Sequence, residues 1–90
     1  MQVKEIQAIN GPYPATFAGI ERAIEACHYD QGLGETEANN KLLFVREDGT
    51  QETVSIGSSS FLDEAYEAAE IAHRLGIEHD KSLCQDCAME

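Results

Sequence analysis

The chain is predicted to be an α+β domain, a three-stranded antiparallel sheet packed against two helices in the order β-α-β-β-α, followed by a short tail. Three observations predict it: two segments with apolar residues at helical period, an apolar and β-branched pair of runs joined at Asp48-Gly49, and a short β-branched opening segment. The domain is expected over residues 1–77 and an acidic tail with a CxxC pair over 78–90. At 90 residues the chain holds one domain whose folding buries about 60 to 65% of the unfolded surface, so its core is thin and a large interior active-site cavity is not expected.

Residues 2–9 (QVKEIQAI) read as an edge strand that stops at Asn10-Gly11-Pro12. Thr16 then offers an N-cap, and Phe17, Ile20, Ile24 and Cys27 share one helical face in a segment running to about Tyr29. Residues 30–40 (DQGLGETEANN), with two glycines and two asparagines, read as a mobile surface loop. Lys41 to Val45 and Thr53 to Ile56 form the hairpin. A two-residue Asp48-Gly49 loop sets Leu43 opposite Val54 and Val45 opposite Glu52. Leu42 and Phe44 then fall on the other face, which needs a cover from within the chain or from a partner.

Ser60 and Asp63 supply a capping-box variant ahead of Phe61, Leu62, Ala65, Ala68, Ala69, Ala72 and Leu75, a wide stripe of helical period whose alanines allow close approach to the sheet. Leu75-Gly76-Ile77 has the form of a Schellman ending.

Charge and cysteine content point to different functions. With 17 acidic and 6 basic residues the net charge is −11, which repels a phosphate backbone and an anionic membrane, so no direct nucleic-acid or membrane binding is expected. No apolar run reaches membrane-span length and the N-terminus lacks the pattern of a signal peptide, so a cytoplasmic protein is expected. Acidic residues recur along the helices: Asp63, Glu64, Glu67 and Glu70 on the second, Glu21 and Glu25 on the first. Like charges at i,i+4 oppose helix formation, so stability alone would not select them. Carboxylates about 6 Å apart resemble the spacing of backbone phosphates. The first functional expectation is therefore a non-enzymatic, cofactor-free module, monomer or homodimer. It docks these carboxylates on a basic protein surface such as that of a nucleic-acid-binding protein, as a nucleic-acid mimic or inhibitor of the phage type would. The plain counterpart is a solvated, solubilising surface.

The alternative is a small zinc-stabilised domain. Cys84-x-x-Cys87 has the spacing of a zinc knuckle, in which two thiolates bind one tetrahedral ion at about 2.3 Å. Further ligands would come from His79 or His73, and from Cys27 and His28 if the first helix lies beside the tail. Against this, Cys27 sits on an apolar helical face, where a thiol behaves as a small hydrophobe. Thiol redox catalysis is disfavoured because the pair follows a finished helix and stands among Asp80, Asp86 and Glu90, which raise thiol pKa values. Ser58-Ser59-Ser60 lacks a nucleophile elbow and Gly32-Leu33-Gly34 lacks the setting of a phosphate loop, so no catalysis is expected.

Overall fold

A computed structural model describes residues 2–56, 64–84 and 87. The chain runs β1 (Val3–Gln7), β2 (Tyr13–Pro14), α1 (Phe17–Gln31), β3 (Lys41–Arg46), β4 (Gln51–Ser55) and α2 (Glu64–Leu75), with short 3-10 turns at Glu37–Asn39 and Lys81–Leu83. The class is α+β as the sequence predicts, but the antiparallel sheet has four strands, in the order β2-β1-β3-β4. The added strand is β2, only two residues long, which pairs with β1 through Glu5↔Pro14 and Ile6↔Tyr13. It makes β1 an interior strand rather than the expected edge, since β3 pairs with its other side.

The hairpin register differs by one residue from the sequence expectation. Leu42 faces Val54 and Phe44 faces Glu52. The turn is a three-residue loop: Arg46 N–H donates to the Thr50 carbonyl, Gly49 N–H donates to the Arg46 carbonyl, and Gly49 takes φ +87°. A type I turn followed by a left-handed residue gives this longer connection, and the Asp48 carboxylate fixes it by accepting from the Thr50 amide (3.0 Å) and hydroxyl (2.6 Å). Because side chains alternate with period two, the slip brings Leu42, Phe44 and Val54 onto the same face. Leu42 and Phe44 are fully buried, so the cover they need is supplied inside the monomer. Burying this apolar trio together is the reason the longer turn wins over the shorter one.

Both helices contribute to that core. Ile20, Ala23, Ile24 and Cys27 of α1 and Ala68, Ile71 and Ala72 of α2 meet Ile6, Leu42, Phe44, Val54 and Ile56. At the start of α1 the Thr16 hydroxyl accepts from Gly19 N–H at 3.0 Å, as an N-cap should. Gly19 is required by packing: a Cβ there would stand 1.9 Å from the Pro14 carbonyl oxygen, so any side chain would push α1 off β2. Beyond the core, Glu52 of β4 accepts from Arg46 (2.7 Å) and Arg74 (3.1 Å), joining β3, β4 and α2 at their solvent margin.

The segment read as a mobile surface loop is organised around one buried residue. Asn39, with no exposed surface, accepts from Thr36 N–H at 2.8 Å and donates to the Asp30 carboxylate (3.1 Å) and the Gly34 carbonyl (2.9 Å). The asparagine side chain thus completes backbone hydrogen bonds that composition alone does not reveal.

Candidate metal centre

Four potential ligands converge where α2 ends. His73 lies on the last turn of the helix, which closes as the sequence predicts: Ile77 N–H donates to the Ala72 carbonyl (2.9 Å), Gly76 N–H donates to the His73 carbonyl (3.3 Å), and Gly76 takes φ +74°. This Schellman ending reverses the chain and returns residues 77–79 along the helix end. His79 is then locked by its own backbone, since Nδ1–H donates to the Ile77 carbonyl at 2.7 Å. That bond leaves Nε2 as the nitrogen with a lone pair, and Nε2 lies 3.3 Å from Cys87 Sγ. His73 Nδ1 approaches the same sulfur at 3.2 Å.

A tight turn delivers the cysteines. The Asp80 carboxylate accepts from Ser82 N–H (3.0 Å) and its hydroxyl (2.7 Å), and these bonds hold the Asp80 carboxyl below its ordinary pKa. Leu83 N–H then donates to the Asp80 carbonyl and Cys84 N–H to the Lys81 carbonyl, placing Cys84 against α2 with 1% of its surface exposed. Cys87 is partly exposed, and neither cysteine is in a disulfide.

One donor atom from each of His73, His79, Cys84 and Cys87 lies within 4.8 Å of all the others. A tetrahedral zinc ion with ordinary Zn–N and Zn–S bonds separates its donors by about 3.3–3.8 Å, so a small contraction of this group would enclose one. The donor set also fits the metal, since two thiols and two imidazoles are among zinc's preferred structural combinations. The Ile77 carbonyl serves as the outer partner that orients a ligating imidazole and sets its tautomer.

The other sequence candidates lie elsewhere. Cys27 is buried in the core on α1, outside the group of four. Burial raises its thiol pKa, with smaller upward contributions from Asp30 and Glu67 and an opposing backbone hydrogen bond with Ile9. His28, its side chain 5% exposed, faces two carboxylates of α2 across the helix interface: Nδ1 stands 3.5 Å from Glu64 and Nε2 3.5 Å from Glu67. His28 is taken up by the α2 carboxylates, whereas Cys27 is buried in the core, with a hydrogen bond to the Ile9 backbone. His73, weighed in the sequence only as an alternative to His79, joins it. Their rings meet edge to face with centroids 5.7 Å apart. The signal that could have paired them is the Gly76 reversal, which folds His79 back beside the last helical turn.

The acidic candidates are also divided. Glu64 and Glu67 turn toward His28, and Glu67 keeps only 13% of its side chain exposed. Glu70 and Glu25 are exposed, Glu21 is half-buried, and Asp63 with its capping partner Ser60 lies outside the described residues. No helix among the described residues is long and apolar enough to cross a membrane.

No protein-family model, curated protein or solved structure matches the chain.

Proposed function

We propose that this chain is a small zinc-stabilised α+β domain in which one ion, held by His73, His79, Cys84 and Cys87, fastens the C-terminal segment to the end of α2. The single observation that carries this reading is the convergence of those four donors within 4.8 Å, with His79 already oriented by the Ile77 carbonyl. Four protein ligands fill a tetrahedral shell and leave no open position for substrate, so the ion's role is structural rather than catalytic.

Energetics favour the same reading. The 3-10 turn at Lys81–Leu83 has no buried residue, and Cys84 is the only described residue beyond Ile77 that is buried. Apolar burial is thus a weak fastening for this segment, whereas metal binding contributes directly to the stability of the structure that forms the site. Native mass spectrometry of protein purified under reducing conditions without chelator should give one zinc per chain, and a chelator should lower the melting temperature. Purely apo protein whose melting is indifferent to both zinc and chelator would overturn the reading.

Docking of acidic surface on a basic partner is a second reading, supported by the net charge of −11 and by the exposure of Glu25 and Glu70. It is tested by partner retention at low salt after Glu25→Lys with Glu70→Lys; unchanged retention would count against it.

A further inference from the structure

The two margins of the sheet are built differently. On one side β2 is two residues long and includes Pro14, a combination that offers little to a further strand. On the other, β4 has five residues and neither proline nor lysine, and no strand lies beyond it among the described residues. Thr50 accepts from Arg46 and Ile56 donates to Asn40, so the even-numbered residues of this strand bond to β3. Antiparallel alternation then turns the N–H and C=O groups of Gln51, Thr53 and Ser55 outward.

A groove of about 250 Å³ runs between this margin and α2. Its apolar surface comes from Val54 and Ile71, and its α2 wall carries Glu67, Glu70, His73 and Arg74. Arg74 is bonded to Glu52 at 3.1 Å and Glu67 turns toward His28, so the exposed Glu70 is the carboxylate this wall presents to an occupant. The side chain of Val54 points toward the helix layer, and a strand added beside β4 would send its own inward residue into this groove.

We propose that β4 and the groove bind an extended peptide of a partner protein, added as an outer antiparallel strand, with one lysine or arginine seated beneath α2 against Glu70. Main-chain hydrogen bonds to Thr53 and Ser55 supply affinity and the acidic pocket supplies selection, as in other cases of strand addition. A second copy of this chain is a poorer occupant, since it would bring another charge of −11 to an acidic groove. The inference narrows the docking reading to one groove and one ligand chemistry, and it does not depend on the metal.

The test uses the full isotope-labelled chain and two blocked pentapeptides, Thr-Val-Lys-Val-Thr and its counterpart with glutamate at the centre. The lysine peptide is expected to shift the amide resonances of Thr53, Ser55 and Glu70 and to bind about tenfold more tightly than the glutamate peptide. Glu70→Lys, on an exposed helical position, is expected to abolish that preference while leaving the remaining spectrum unchanged. Equal affinity for both peptides, or shifts confined to other surfaces, would overturn the proposal. So would Thr53 and Ser55 resonances that move with protein concentration alone, which would assign the margin to a second copy. Loss of peptide binding with retention on a polylysine surface that needs Glu21 and Glu25 would reject the groove and leave the broader docking reading standing.

Discussion

Two histidine clusters sit at opposite ends of α2, and the contrast between them shows what donor chemistry makes of the same side chain. Near the start of the helix His28 stands between Glu64 and Glu67, one imidazole and two carboxylates that meet it on different ring nitrogens. Its donors surround the ring instead of a common point, which makes it a bridge across the helix interface. Near the end of the helix His73 and His79 meet Cys84 and Cys87, and one donor atom from each lies within 4.8 Å of the others. Only the second arrangement gathers enough nitrogen and sulfur donors for a small contraction to enclose one ion. The difference extends to what each cluster supports, because the first is flanked by a continuous apolar core and the second holds a segment with little buried apolar surface.

The largest expected effect comes from removing the thiols. Cys84→Ser with Cys87→Ser should eliminate stoichiometric zinc and lower the melting temperature by about 10 °C or more, given that each kcal/mol moves a domain of this size by about 4–8 °C. Chelator should reproduce the shift in the parent chain and add nothing in the double variant, as thermal melts with and without it will show.

Exchange of the histidines sharpens the contrast. His79→Ala should weaken zinc binding, whereas His28→Ala should leave the metal stoichiometry at one per chain while costing about 1–3 kcal/mol in denaturant unfolding, because it strips the partly buried Glu67 of its imidazole neighbour. Loss of zinc from the His28 variant would erase the distinction between the clusters.

Thiol reactivity separates the same regions on a smaller scale. With zinc bound all three cysteines should alkylate slowly, and chelation should release Cys84 and Cys87 but not Cys27, whose burial in the core raises its pKa and blocks access. Mass spectrometry of the alkylated peptides reads this directly.

The smallest effect is electrostatic. Arg46 and Arg74 hold the Glu52 carboxyl below its ordinary pKa, chiefly through their hydrogen bonds. A carboxyl with a depressed folded-state pKa contributes stability above its unfolded value of about 4.3 and loses that contribution as pH falls through the folded value. All three side chains remain in contact with solvent, so the amount is under about 1 kcal/mol. Glu52→Gln should flatten the acid limb of a stability profile by that amount and leave neutral-pH zinc content unchanged.

Elements with a local cause were legible in the sequence. Thr16 caps α1, Gly76 ends α2 and the helical periods mark the buried faces, because each depends on residues within a turn or two of one another. What depended on distant pairing was less legible. The hairpin length was decided by the joint burial of Leu42, Phe44 and Val54, and the interior position of β1 by a two-residue strand with almost no signal of its own. In the group of four donors, the CxxC spacing had brought Cys84 and Cys87 together as candidates, and proximity in sequence suggested His79. That His73 stands with these residues while Cys27 and His28 do not depends on how the chain reverses at Gly76 and on the packing of the two helices, neither of which spacing encodes.

Cobalt(II) substitution is the most direct test, because its absorption reports ligand number and type together. Protein reconstituted with one equivalent should show the intense visible bands of a tetrahedral site with a thiolate charge-transfer band in the near ultraviolet, both lost in the double cysteine variant and retained in His28→Ala. Weak bands of a six-coordinate ion, or a spectrum unchanged by removing Cys84 and Cys87, would contradict a metal-fastened tail.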